Sequence, residues 1–127
     1  MMTAMKNTKP TESELDILQV LWEKQVATVR EVHEEILKVK PAAGYTTTLK
    51  FMQIMFDKGL VTRDSSSKSH VYKPAVNKEK TQTIFVNKMI DSLFGGSPAQ
   101  LVMQALGNHK ASKEELDEIR NYLKTIK

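Results

Sequence analysis

The sequence predicts a mainly α-helical protein with one small β-hairpin, and three observations carry that expectation. Apolar residues recur at helical spacing in six separate stretches. Three Ser/Thr-x-x-Glu capping boxes, Thr11 to Glu14, Thr28 to Glu31 and Ser112 to Glu115, mark helix starts. A single pair of β-prone runs, Leu60 to Asp64 and Ser69 to Lys73, flanks a Ser65-Ser66-Ser67-Lys68 turn. Helix, helix, helix and hairpin across residues 11–76 are the order of a winged helix-turn-helix DNA-binding domain. Residues 77–127 read as a second, wholly helical domain.

Residues 1–10 are polar and unpatterned, a flexible tail by expectation. After Thr11 the first helix places Leu15, Leu18, Leu21 and Trp22 on one face and ends near Lys24. Val26-Ala27 is a two-residue β-prone stretch, expected as the short third member of a winged-helix sheet. Thr28 opens the second helix, whose apolar stripe is Val29, Val32 and Ile36. The connection from Val39 to Gly44, with Pro41 in it, is longer than the turn of the simplest helix-turn-helix.

The third helix begins at Tyr45-Thr46-Thr47-Thr48, small hydroxyl residues at a terminus whose free N–H groups and dipole favour an anion such as a DNA phosphate. Leu49, Met52 and Phe56 are its expected core stripe, leaving Thr47, Lys50, Gln53 and Asp57 outward. Gly59 is a helix stop. The hairpin that follows has a basic tip, and is the expected wing.

The 127 residues are 40% hydrophobic and 27% charged, with a formal net charge of only +4. Distribution matters more than the total. From Glu12 to Leu37 there are two cations against seven carboxylates; from Lys38 to Pro74 there are seven cations against two. The positive footprint coincides with the third helix and the hairpin, as nucleic-acid recognition requires. With no cysteine, disulfides and thiolate metal sites are excluded. No apolar leader and no run of roughly 20 apolar residues is present, so a cytoplasmic protein without membrane insertion is expected.

Beyond Asn77, the residues Ile84, Phe85, Val86, Met89, Ile90, Leu93 and Phe94 form a broad apolar face that Gly95-Gly96 stops. Ser97-Pro98 restarts a short helix with Leu101, Val102, Ala105 and Leu106, and Gly107-Asn108 ends it. The last helix carries Leu116, Ile119, Leu123 and Ile126 in one stripe. About fifty residues seldom hold a core alone, so a homodimer through Phe85, Met89, Leu93, Leu101, Val102, Leu116, Ile119 and Leu123 is expected. The competing expectation is that these helices pack on the first domain.

Five stretches match a known pattern in order and spacing: Ser13-Glu14-Leu15-Asp16-Ile17-Leu18 with Leu21-Trp22, Tyr45-Thr46-Thr47-Thr48-Leu49, Lys58-Gly59-Leu60-Val61, and Leu101-Val102. In these the chain resembles the BlaI/MecI penicillinase-repressor family from about Thr11 to Lys127. The resemblance implies a dimeric winged-helix transcriptional repressor on a two-fold operator of double-stranded DNA. It implies base and phosphate contacts from the third helix, here Thr46, Thr47, Thr48, Lys50 and Gln53, and phosphate contacts from the wing, here Arg63, Lys68 and His70. One departure is Ile54, where many members carry an arginine that would touch the DNA backbone. Copper-responsive members use C-terminal cysteine pairs, which this chain lacks. In β-lactam-responsive members a partner protease, a membrane-bound sensor metallopeptidase, cuts an Asn-Phe bond in the short helix. Aligned on Leu101-Val102, that bond falls at Gln104-Ala105, and alanine does not fill a pocket shaped for phenylalanine.

No catalytic or metal constellation competes, and no cofactor is implied. His33-Glu34-Glu35 opens like a zinc-protease helix, but Leu37 stands where the second histidine belongs. His33, His70 and His109 lie in different elements, Gly95-Gly96-Ser97 lacks the lysine of a phosphate loop, and the seven methionines read as core or interface filler. An enzyme is therefore disfavoured. The alternative to a repressor is a winged-helix protein-interaction module without sequence-specific DNA binding.

Overall fold

A computed structural model of the chain describes residues 9–66, 68–108 and 110–126. The tail expectation for residues 1–8, the turn residue Ser67 and the histidine at 109 lie outside the described residues. The elements run α1 (Glu12–Lys24), α2 (Val29–Val39), α3 (Tyr45–Lys58), β1 (Val61–Asp64), β2 (Val71–Pro74), α4 (Lys78–Leu93), α5 (Pro98–Asn108) and α6 (Lys113–Thr125).

The helix starts follow from local chemistry. Thr11, Thr28 and Ser112 each accept the N–H of the glutamate three residues on, and each glutamate accepts the capping residue's N–H in return. Asn77 caps α4 by accepting from Lys80 N at 2.9 Å, and Ser97 caps α5 by accepting from Gln100 N at 3.2 Å. At the other end of α3, Gly59 has φ 84°, the left-handed conformation that glycine adopts without a Cβ penalty. Gln25 ends α1 at φ 74° with a side chain in place, a strained position.

The chain divides into two compact units between Thr81 and Gln82, inside α4. In the first, α1, α2 and α3 pack with the hairpin around one core. Ile17, Leu18 and Leu21 meet Val32, Ile36, Met52, Met55, Leu60, Val61 and Tyr72 there. The antiparallel hairpin pairs Val61 with Pro74 and Arg63 with Tyr72. Ala27 forms a bridge with Tyr72, its N–H donating to Tyr72 O at 3.1 Å and its carbonyl accepting from Tyr72 N at 2.8 Å. The third member of the sheet is thus a single residue. Trp22 lies half-buried beside this core, and its indole N–H donates to the Val76 carbonyl at 3.0 Å.

Two packing details differ from the sequence reading. In α3 the buried stripe is Thr48, Met52 and Met55; Leu49 is half-buried and Phe56 is exposed. In α1 the charged Glu14 is buried beside Ile17, Leu18 and Leu21 because it meets both a backbone N–H and the Lys58 ammonium.

The second unit is of another kind. Among its described residues none is buried, and Ile84, Met89, Leu93, Val102, Met103, Tyr122 and Leu123 are all exposed. No helix among the described residues is long and apolar enough to cross a membrane.

Candidate nucleic-acid interface

The candidate site is the outward side of α3, the hairpin and the cleft between them. The cleft, about 370 Å³, is bounded by the start of α2, the outer face of α3 and the wing; Arg30, Gln53, Lys68, Ser69 and His70 present its polar edge. None of its lining residues is acidic.

Of the sequence-predicted residues, Gln53, Lys68 and His70 come together here and are exposed. Thr46, Thr47 and Lys50 are exposed on α3 outside the cleft lining. Arg63 projects from β1 over α3, its guanidinium carbon 4.0 Å from the centroid of the Phe56 ring. That stacking holds a flexible cation against a fixed surface, and explains why Phe56 stays at the surface.

Thr48 is a correction. It is only 4% exposed, and its hydroxyl donates back to Gly44 O at 3.4 Å, so it faces the core and not a ligand. A threonine tolerates such a position because its one proton is satisfied within its own helix.

Arg30 is the residue that the sequence reading missed. It belongs by sequence to the acidic stretch, yet α2 starts beside the wing, so its exposed side chain borders the cleft with Lys68. The only sequence signal is its place two residues after the Thr28 cap, at a helix N-terminus.

Charge pairing sharpens the footprint. Lys38 binds Glu35 at 3.0 Å, Lys40 binds Asp16 at 2.7 Å and Lys58 binds Glu14 at 2.7 Å. The Lys38 hydrogen bond lowers the Glu35 carboxyl below its ordinary pKa, and the Asp16 hydrogen bond raises that of Lys40. Among the described residues, Arg30, Lys50, Arg63 and Lys68 form no ion pair, so their charge is available to phosphates. At the wing's turn the Asp64 carboxylate accepts Ser66 N at 2.9 Å, which holds its pKa below the ordinary value. The Asp64 side chain thus bends the chain at Ser66.

The N-terminus of α3 completes the surface. Gly44 is its N-cap and no side chain caps it. First-turn N–H groups are left for an anion, the opposite of α1, α2 and α6.

Comparison with known proteins agrees with this geometry. The sequence model of the penicillinase repressor family matches residues 10–125. The chain is 25% identical over 127 residues to a penicillinase repressor of Staphylococcus aureus, covering 97% of each chain. It is 25% identical over 122 residues to the methicillin resistance regulatory protein MecI of Staphylococcus aureus strain N315, covering 93% of this chain and 95% of that one. A penicillinase repressor of Bacillus licheniformis is 20% identical over 117 residues, 92% of this chain and 91% of its own. The match begins just before α1 and runs to the last residue of α6, through every helix and both strands: the chain belongs to the penicillinase repressor family of transcriptional repressors.

Proposed function

We propose that this DNA-binding repressor grips a two-fold symmetric operator as a homodimer, with α3 reading base edges in the major groove and the wing and Arg30 holding phosphates. The observation that carries the reading is the set of cations without an ion pair among the described residues, Arg30, Lys50, Arg63 and Lys68, around an uncapped helix start and a cleft without carboxylates. Exposed Thr46, Thr47 and Gln53 supply hydrogen-bonding groups at the same surface. The second unit supports self-association: it buries no described residue, and its exposed apolar side chains need a partner surface.

Relief of repression by proteolysis fits α5. It is 11 residues long with none buried, so a protease can draw it into an extended form at little cost. Gln104 and Ala105 are exposed on it. A membrane-bound metallopeptidase remains the proposed partner for that cut.

Salt titration of binding to random and selected duplexes, with sedimentation of the complex, tests the reading. A steep loss of affinity with salt and two chains per duplex are expected. Salt-independent or absent binding to both duplexes would favour the protein-interaction alternative. Mass spectrometry of chain recovered from derepressed cells tests the cut: full-length protein alone would exclude it.

A further inference from the structure

The start of α3 poses a mechanical problem. A capping side chain there would occupy the N–H groups that a phosphate takes, and the helix indeed begins at Gly44 without one. Its first turn must be fixed from another side if it is to read bases reproducibly.

The fixing contacts come from α2. Thr48 Oγ1 donates its one proton to Gly44 O, which also accepts the Thr48 N–H at 3.2 Å. The same Oγ1 lies 3.3 Å from His33 Nδ1. With the hydroxyl proton given to Gly44 O, the imidazole tautomer that completes the pair carries its proton at Nδ1 and donates to Thr48. The His33 ring also meets the Tyr45 ring edge-on, with centroids 5.6 Å apart and planes at 87°. One imidazole on α2 therefore touches residues 45 and 48 of α3. Between these contacts lie Thr46 and Thr47, both exposed. His33 itself does not line the cleft.

We propose that His33 is the positioning residue of the recognition helix: through Thr48 and Tyr45 it sets the first turn of α3 for base contact without touching DNA. The proposal rests on the DNA-binding reading above. It assigns to His33 a share of sequence discrimination, while the phosphate grip belongs to Arg30, Lys50, Arg63 and Lys68. Loss of the bridge lets the first turn shift, which harms base contacts far more than phosphate contacts, because the former need both distance and angle.

The test uses the full chain, a duplex selected by the parent protein from a random pool, and a random duplex of equal length, all at one salt concentration. Thermal melting first establishes that each variant is folded at the assay temperature. His33→Leu keeps bulk but has no donor; Thr48→Val keeps shape but has no acceptor; His33→Asn keeps an N–H donor near the Nδ1 position. His33→Leu and Thr48→Val are each expected to weaken the selected duplex about threefold to tenfold, the effect of one hydrogen bond, and the random duplex by less than about twofold. The double variant should be no worse than either single one, and His33→Asn should recover most of the loss. Equal losses on both duplexes, additive losses in the double variant, or an asparagine variant as poor as leucine would each overturn the proposal. A parent protein that prefers no duplex would overturn the DNA-binding reading instead, before any variant is compared.

Discussion

The ammonium of Lys58, last residue of α3, donates to Glu14 Oε1 at 2.7 Å, and the same oxygen accepts the Thr11 backbone N–H at 2.9 Å. One carboxylate thereby closes the N-terminus of α1 and ties down the C-terminus of α3. Lys58→Met would leave the Glu14 side chain, 3% exposed, charged and without its cation. The expected loss is about 2 kcal/mol, below the roughly 3–5 kcal/mol of a fully buried pair because the Lys58 side chain is 27% exposed. Glu14→Gln, which keeps an acceptor for Thr11, should cost less. Urea unfolding measures both; a Lys58→Met chain as stable as the parent would refute the tie.

Arg30→Ala and Lys68→Ala should each weaken binding to any duplex and reduce the slope of log affinity against log salt by about 0.9. Unchanged slopes in the double variant would remove the cleft from the interface.

Phe56 offers a separate handle on Arg63. Phe56→Leu removes the ring beneath the guanidinium without removing a charge. Binding should weaken by about 0.5–1 kcal/mol, the usual worth of an exposed cation–π contact. In an Arg63→Ala background the same change should do nothing, which a double-variant titration checks.

Asp64 makes the wing tip sensitive to acid. Its folded pKa is depressed, chiefly by the hydrogen bond from Ser66 N, so its contribution is fully present above the ordinary aspartate value of about 3.9. That contribution is lost as pH falls through the lower, folded value. The Ser66 amide should therefore exchange progressively faster, relative to neighbouring amides, as pH falls below about 4 toward that lower value. A constant relative rate across that window would argue against the carboxylate as its anchor.

Leu93→Glu and Leu123→Glu place a charge on exposed apolar positions of the second unit. If this surface joins two chains, either variant should sediment as a monomer and bind a selected duplex about 100-fold more weakly, since the gain from linking two modules disappears. A variant that remains dimeric would move the interface elsewhere.

Most of the fold was legible because its signals are local. Capping boxes at Thr11, Thr28 and Ser112, the Gly59 stop and the β-prone runs around the serine turn each depend on a few adjacent residues. What was not legible depends on which particular side chains and backbone groups meet once the chain has folded. Periodicity ranks threonine as polar, so it missed that Thr48 can be buried once its proton returns to Gly44 O. It gave Phe56 to the core, whereas an arginine from the next strand covers it at the surface. Charge counting along the chain assigned Arg30 to the acidic stretch, and only the packing of α2 beside the wing brings it to Lys68. The burial of Glu14 needed Lys58 from another helix.

The bridge between Ala27 and Tyr72 has a consequence for the order of folding. Capping and helix pairing within α1 to α3 are short-range events, whereas this bridge must close a loop that contains two helices and the first hairpin strand, and loop closure of that kind is slow. Tyr72 also supplies the largest wholly buried side chain of the unit, so the core stays incomplete until it arrives. In pulse-labelled hydrogen exchange the amides of Ala27 and Tyr72 should gain protection after those of Val32 and Met52; simultaneous protection would contradict this order. On this order, a chain caught before that moment already carries α3 but lacks the wing packed beside it, and it is expected to hold duplex DNA poorly.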